Sequence, residues 1–147
     1  MDLASRFLEH AAEGPMAIFH AAAVSDFVPG LMLERDSAGN LRAIYASKFQ
    51  SRAGALLLEL RPAPKLLARL REWYPDALLV GWKYEVEGDR DQALARGRRQ
   101  LAECRSDVCV VNGPAYGEGY GLIRPGSGLE EVSGVAALYE GLAKLVE

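Results

Sequence analysis

Side chains that could bind or polarise a ligand fall in this sequence where apolar runs end. Asp26 follows the run Met16–Phe19 and a series of small residues, and Trp82 and Asn112 end two further runs. Apolar runs of this kind are typical of buried parallel strands. Open α/β sheets bind their ligands outside the carboxyl ends of these strands. We therefore expect Asp26, Trp82 and Asn112 to lie along one edge of one sheet.

These residue types suit a polar ligand that carries a flat ring. A carboxylate at Asp26 can accept a hydrogen bond from a hydroxyl group or help to hold Mg²⁺, and the indole of Trp82 can stack on a base. From the pattern alone, structural alternatives stay open: a turn acid at Asp26, core packing at Trp82 and a strand-ending turn at Asn112. His20, inside the first run, is of a type that is more often structural than catalytic.

Positively charged segments could neutralise an anionic ligand. Lys48 and Arg52 lie in a polar loop of the kind that closes over phosphate groups. Residues 64–67 open a predicted helix, and the free amides of a helix start favour phosphate. The alternatives are a solvated flap tip, an ordinary helix start with Pro64 in its first turn, and a solvated helix face. The solvated helix face is the alternative for a group of arginines on a later predicted helix: Arg96, Arg98 and Arg99.

The elements that must position these residues alternate along the chain. The apolar runs typical of strands are 16–20, 55–60, 77–82, 108–111 and the short 122–124. The segments with helical periodicity are 2–13, 64–74, 89–105 and 129–146. Residues 31–60 contain the turn cluster 36–40 and predict a hairpin flap, and Pro29 and Gly30 are expected to close the turn after Asp26. Alternating strands and helices predict an α/β fold with a mostly parallel sheet.

Composition narrows the class of protein. The chain has 147 residues, 50% hydrophobic and 25% charged, which is typical of a single globular domain. Its net charge of −3 argues against non-specific binding to nucleic acid. No apolar run approaches the roughly 18 residues of a membrane span, so no membrane partner is expected. Cys104 and Cys109 are too few for a zinc site and lie in a predicted helix and strand, so we expect free thiols and a cytoplasmic setting.

Five segments, taken in order, resemble the motifs of one enzyme family. Residues 22–27 are similar to AAVxD(Y/F), 48–51 to K-I-(K/Q)-(K/S), 64–67 to PK(I/L)L, 80–85 to (V/I)GFKxE and 107–112 to D-x-(V/I)-(V/C)-A-N. These motifs belong to the phosphopantothenoylcysteine synthetases, which are the synthetase parts of the DNA/pantothenate metabolism flavoproteins of coenzyme A biosynthesis. The resemblance covers roughly residues 16–123.

The resemblance implies a Rossmann-like three-layer sandwich and a ligase reaction. In that reaction CTP or ATP, with Mg²⁺, activates 4′-phosphopantothenate as an acyl-nucleotidylate, and the amine of cysteine then attacks it; no flavin is expected in this chain. Lys48 matches the flap lysine that handles the intermediate, and we expect Lys48 and Asp26 to be catalytic. The expected nucleotide-binding residues are Ala22, Ala23, Asp26, Lys48, Pro64, Lys65, Leu66, Leu67, Trp82, Arg98, Arg99 and Asn112, and no residue is assigned to a metal.

One departure from the family shapes the expected assembly. Family members begin with a glycine-rich segment of the GGTxEPID type, and this sequence has none before Met16. We therefore expect one synthetase-like domain over 1–147 that lacks the first strand and glycine-rich turn. Such a domain would act as a homodimer, or in a complex with a chain that supplies the segment. The alternative is a non-catalytic nucleotide-binding or structural module with the same fold.

Overall fold

The computed structural model describes residues 17–45 and 55–147. The predicted helix at 2–13 and the predicted loop around Lys48 lie outside the described residues. In chain order the elements are β1 (Ala17–His20), β2 (Phe27–Arg35), β3 (Leu41–Ile44), β4 (Ala55–Pro62), α1 (Leu66–Trp73), β5 (Leu78–Tyr84), α2 (Arg90–Cys104), β6 (Val108–Asn112), β7 (Tyr120–Ile123), β8 (Leu129–Val132) and α3 (Val135–Ala143).

The described residues form two compact units. The five-stranded unit consists of residues 17–23 and 65–147, and the three-stranded unit consists of the described part of 24–64. Strands of the first unit follow the order β1-β5-β6-β7-β8, in which β1, β5 and β6 are parallel and β7 and β8 are antiparallel additions. The α/β class predicted from the alternation of elements is confirmed.

Helices cover both faces of the five-stranded sheet. On one face, α1 and α2 pack on alternate strand residues, among them Ile18, Leu79 and Cys109. On the other face, Leu138 and Leu142 of α3 pack against a cluster that includes Val80, Val108 and Val110. Because successive strand residues point to opposite faces, each strand contributes to both layers, and the unit has three layers. No helix in the described part of the chain is long and apolar enough to cross a membrane.

The helix boundaries follow from capping residues. The side chain of Asp89 accepts a hydrogen bond from the backbone nitrogen of Gln92 at 2.9 Å, which fixes the start of α2. The same helix ends at Arg105 in the left-handed conformation, as helices often do. Helix α1 begins at Leu66 after the N-cap residue Lys65, whose side chain makes no capping hydrogen bond. The prediction that Pro64 lies in the first turn is therefore wrong: Pro64 lies two positions before the first helical residue.

Two other predictions from local pattern are wrong. Residues 129–132 were expected to begin the last helix, but they form β8, which pairs with β7 from Tyr120 to Ile123. Ser133 and Gly134 then separate β8 from α3. Pro29 and Gly30 do not close a turn: both lie within β2, where the pairing with β4 shifts register between Pro29 and Met32. A β-bulge tolerates proline and glycine in a strand, which explains the difference.

The three-stranded unit is an antiparallel sheet with the order β3-β2-β4. Its hairpin turn is held by Asp36, whose side chain accepts hydrogen bonds from the backbone nitrogens of Ala38 (2.9 Å) and Asn40 (2.8 Å). Strands β2 and β3 therefore form a hairpin around the predicted turn cluster at 36–40, and β4 adds a third strand to it. Phe27, at the start of β2, pairs with Pro62 at the end of β4.

Candidate functional site

The parallel strands β1, β5 and β6 end at one edge of the five-stranded sheet, here called the carboxyl edge. Trp82 pairs in register with Val110, and Tyr84 with Asn112. Paired residues of neighbouring strands share a face, so Trp82, Tyr84 and Asn112 lie together on the face that α3 covers. The structure thus brings Trp82 and Asn112 to neighbouring strands at one edge, as the apolar runs predicted.

Trp82 and Asn112 each have a group that the described residues do not fully occupy. The indole of Trp82 is half-buried and packs partly on the cluster beneath α3. Asn112 Oδ1 is buried and has no hydrogen-bond partner among the described residues. A buried acceptor without a donor costs on the order of 1–3 kcal/mol, so a ligand that donates a hydrogen bond there would relieve this cost.

His20, at the end of β1, lies on the opposite face from Trp82. It is paired in register with Gly81, and its neighbour two residues back, Ile18, packs on α1. The buried Nε2 atom of His20 has no partner within residues 17–45 and 55–147. Burial lowers the pKa of His20, which favours a neutral imidazole at pH 7.

A charged network occupies the same face beyond His20. Lys83 Nζ lies 3.3 Å from Glu85 Oε1, and Arg96 of α2 forms an ion pair with Glu85 Oε2. Glu85 is only 9% exposed. Arg96 also donates a hydrogen bond of 3.0 Å to the carbonyl oxygen of Glu87, so the guanidinium is held at two points.

The backbone of Glu85 joins the carboxyl ends of β5 and β6. Its nitrogen donates to the carbonyl oxygen of Asn112 at 2.9 Å, and its carbonyl oxygen accepts from the nitrogen of Ala115 at 3.0 Å. Gly113 makes this approach possible: its φ is +114°, and a Cβ there would lie 2.4 Å from the carbonyl oxygen of Glu85. Only glycine fits this position without displacing Glu85.

Lys65 and its neighbours are placed at the start of α1. Lys65 Nζ forms an ion pair of 2.9 Å with Glu103 of α2. The hydrogen bond between them raises the pKa of Lys65 and lowers the pKa of Glu103. Leu66 is half-buried and Leu67 is buried, and the side chain of Leu67 lies over Gly81 at a distance that leaves no room for a Cβ. Leu67 therefore has a packing role.

The remaining predicted residues belong to several segments of the two units. Ala22 and Ala23 are exposed and follow β1 in the five-stranded unit. Arg98 and Arg99 lie on the exposed side of α2, where Arg99 approaches Glu103 at 3.6 Å. In the three-stranded unit, the carbonyl oxygen of Asp26 accepts a hydrogen bond from the nitrogen of Ala63 at 2.8 Å, which holds Asp26 next to the residue before Pro64. Lys48 lies outside the described residues.

The expected set of site residues did not include Lys83, Glu85 or Arg96. A sequence signal for two of them existed, because opposite charges two residues apart at the end of a strand point to the same face. The rotation of α2 that selects Arg96 is set by tertiary packing. Within residues 17–45 and 55–147, no three His, Cys, Asp or Glu side chains come together in a way that could hold a metal ion.

Sequence comparison finds one curated relative and no matching family model. The relative is the coenzyme A biosynthesis bifunctional protein CoaBC of Thermococcus kodakarensis, 37% identical over 57 residues. That match covers 39% of this chain and 14% of CoaBC.

Solved structures share the fold over nearly the whole chain. The DNA/pantothenate metabolism flavoprotein of Streptococcus pneumoniae aligns with a TM-score of 0.79 and 22% identity, covering 99% of this chain and 68% of that one. The C-terminal domain of CoaBC aligns with a TM-score of 0.63 and 15% identity, covering 97% and 59%. Cab2 in complex with phosphopantothenate-cysteine aligns with a TM-score of 0.56 and 22% identity, covering 86% and 41%.

These comparisons confirm the predicted resemblance and the Rossmann-like architecture. A partial sequence match and an overall structural match point to the same group of proteins. The chain spans about three-fifths of the aligned CoaBC domain and about two-fifths of Cab2.

Proposed function

We propose that this chain carries the synthetase site of a phosphopantothenate–cysteine ligase in coenzyme A biosynthesis. The observation that carries the proposal is the similarity to CoaBC, in sequence and in fold, of a chain whose ordered motifs are those of the synthetases. The fold shared with Cab2, which was solved with phosphopantothenate-cysteine, supports the same substrate class.

The carboxyl edge suits the nucleotide half of such a reaction. The half-exposed indole of Trp82 offers a stacking surface for a base, and the unpaired Oδ1 of Asn112 offers an acceptor on the same face. We assign Asp26 and Lys48 to the reacting groups on the basis of the motifs. Mg²⁺ would accompany the phosphates of CTP or ATP and reduce their negative charge, since this ion is usually held by substrate phosphates with one or two carboxylates.

The reaction then has two steps. A carboxylate oxygen of phosphopantothenate attacks the α-phosphate of the nucleotide, and pyrophosphate leaves. The amine of cysteine next attacks the activated carbonyl carbon, and the nucleoside monophosphate leaves as the amide forms. Charge grows on the phosphates in the first step, so positively charged side chains there would accelerate it.

We further propose that the active form contains a second chain, either another copy or a partner that carries the glycine-rich segment. The apolar surface of the three-stranded unit supports this. Phe27, Leu56, Leu58 and Leu60 share one face of that sheet by register and are each at least 40% exposed. Exposed apolar patches of this kind are typical of interfaces. Free, buried Cys104 and Cys109 support a reducing compartment, so we place the chain in the cytoplasm.

The decisive experiment measures pyrophosphate release with phosphopantothenate, cysteine, Mg²⁺ and either CTP or ATP. The chain is assayed alone and with a candidate partner carrying the glycine-rich segment. We expect Lys48→Ala to reduce turnover by about 100-fold or more, as the loss of a group that stabilises transition-state charge does. Lys144→Ala, which removes a lysine after α3, is the matched control and should retain activity.

The outcomes separate the alternatives. Turnover only in the mixture supports a partner chain, and turnover by the chain alone rejects that requirement. Nucleotide binding without turnover in any mixture would reject the ligase and favour a non-catalytic nucleotide-binding module. Sedimentation tests the second copy: Leu58→Lys should shift a dimer to monomer, whereas Tyr139→Lys, at an exposed position on α3, should not.

A further inference from the structure

The network of Lys83, Glu85 and Arg96 contains two positive charges and one negative charge. A purely structural ion pair needs only one of each. One buried carboxylate is shared by two cations, one oxygen to each. The Lys83 side chain is 36% exposed and that of Arg96 is 40% exposed, whereas the Glu85 side chain is 11% exposed. The carboxylate is thus enclosed, and both positive groups face outward with one unit of positive charge in excess.

The excess extends along the same side of α2. Glu103 has its pKa lowered first by the hydrogen bond from Lys65, and further by Arg99 and Lys83. Four positively charged residues therefore surround two carboxylates in a chain whose net charge is −3. A local field of this sign attracts anions to the sheet edge where the strands end.

Glu85 also controls where Lys83 can point. The backbone of Glu85 is fixed to Asn112 and Ala115, and its side chain is fixed by Arg96. Lys83 therefore contacts a carboxylate that is held both through its backbone and by Arg96. Gln100 Nε2 restrains the strand from the helix side by donating to the carbonyl oxygen of Trp82 at 3.2 Å.

We propose that Lys83 binds a phosphate group at the carboxyl edge, and that Glu85 is a positioning residue that holds Lys83 and Arg96 for this contact. The proposal rests on the proposed function, since the ligand class is a phosphate-bearing substrate of that site. Two substrates carry such a group, the nucleoside triphosphate and phosphopantothenate. The shared chemistry is a phosphate oxygen that accepts hydrogen bonds from an ammonium group.

The test is calorimetric binding, which does not depend on turnover. Inorganic tripolyphosphate, CTP, ATP and phosphopantothenate are titrated into the chain, with and without the candidate partner. Lys83→Gln should weaken binding of at least one phosphate-bearing ligand by about tenfold, the contribution of one charge-assisted hydrogen bond. Lys83→Arg should restore most of the affinity. The ligand whose affinity falls in Lys83→Gln is the one whose phosphate group Lys83 binds.

Glu85→Gln distinguishes a positioning residue from a competing charge by the sign of the effect. If Glu85 merely opposed the anion, its neutralisation would tighten binding. If it positions Lys83, Glu85→Gln should weaken binding several-fold even though the substitution removes a negative charge. Arg124→Gln is the matched control: Arg124 is also ion-paired, at 2.7 Å to Glu130, but it follows β7 at the opposite edge of the sheet and its loss should leave affinity unchanged.

Unchanged affinity of Lys83→Gln for every ligand would overturn the proposal, and so would a wild-type chain that binds none of them in any mixture. Tighter binding by Glu85→Gln would overturn the positioning role. Phosphate binding that depends on Lys83 without any turnover would support this inference while rejecting the ligase. If Lys83→Gln left both turnover and phosphate binding unchanged, the ligase would be supported and this inference rejected.

Discussion

Leu79 in β5 and Leu58 in β4 both lie within strands that come from apolar runs, but their surroundings differ. Leu79 is 1% exposed and Leu58 is 47% exposed. The difference is general among the described residues, because every buried hydrophobic residue belongs to the five-stranded unit. Helices cover that sheet on both faces, whereas the described part of the three-stranded unit contains strands alone. An apolar run therefore predicts a strand better than it predicts burial.

The largest test of this contrast is truncation of the two leucines. Leu79→Ala should lower the free energy of unfolding by about 3 kcal/mol, because it leaves a cavity in a core that cannot collapse. Leu58→Ala should cost less than about 1 kcal/mol in a dilute monomer, because the side chain is already half in water. Urea denaturation followed by far-ultraviolet circular dichroism measures both. Equal losses would show that the three-stranded unit has a core of its own.

Two glycines with positive φ, one in each unit, give the next test. Gly113→Ala should cost about 2 kcal/mol, because the left-handed strain adds to a clash with the carbonyl oxygen of Glu85. Gly39→Ala, at φ +88° with open space around it, should cost only about 1 kcal/mol. Thermal unfolding of both variants measures the difference. If Gly39→Ala lowered the stability as much as Gly113→Ala, the close contact of Gly113 with Glu85 would not contribute to the difference between the two turns.

The smallest effect is a pH dependence at high pH that belongs to the five-stranded unit. Burial raises the pKa of Cys109 from 9.0 to about 12. Between these values the unfolded thiol loses its proton and the folded thiol keeps it, so the unfolded state binds fewer protons. The free energy of unfolding should then fall as pH rises above about 9, by up to roughly 1 kcal/mol per pH unit.

Variants isolate the contribution of that thiol. Urea midpoints at pH 8 and pH 10 should differ less in Cys109→Ala than in the wild type. Val110→Ala, which also truncates a fully buried residue of β6 but carries no titratable group, should keep the wild-type difference. An unchanged pH dependence in Cys109→Ala would show that the thiol is less buried than its surroundings indicate.

Much of the five-stranded unit could be predicted from local sequence. The bounds of α2 agree with the predicted 89–105 within one residue at each end, because Asp89 caps the helix and its apolar positions recur at helical spacing. Strands β5 and β6 follow from uninterrupted apolar runs. In each case the local preference and the tertiary environment favour the same state.

The predictions from local sequence are wrong where pairing with a distant strand determines the secondary structure. Leu129 and Val132 are three residues apart and enclose two glutamates, a pattern that favours a helix, but pairing with β7 makes the segment a strand. Nothing local to 129–132 encodes that partner.

The positions of the candidate site residues in the fold were predictable to a similar extent, whereas their roles stay predictions. Trp82 and Asn112 follow from strand ends, whereas the contact of Arg96 with Glu85 depends on how α2 is rotated against β5. That rotation leaves Arg98 and Arg99 exposed, and their role in nucleotide binding stays a prediction.

The pairing of β1 with β5 has a kinetic consequence. These strands are neighbours in space, from Ala17 with Leu78 to His20 with Gly81, but the whole three-stranded unit and α1 lie between them in the chain. Strands β5 and β6 are separated by little more than α2. Because closing a longer loop has a larger entropic barrier, we expect β5, α2 and β6 to assemble first and β1 to dock late. The end of β1 that carries His20 would then be among the last parts of the carboxyl edge to form and among the first to open.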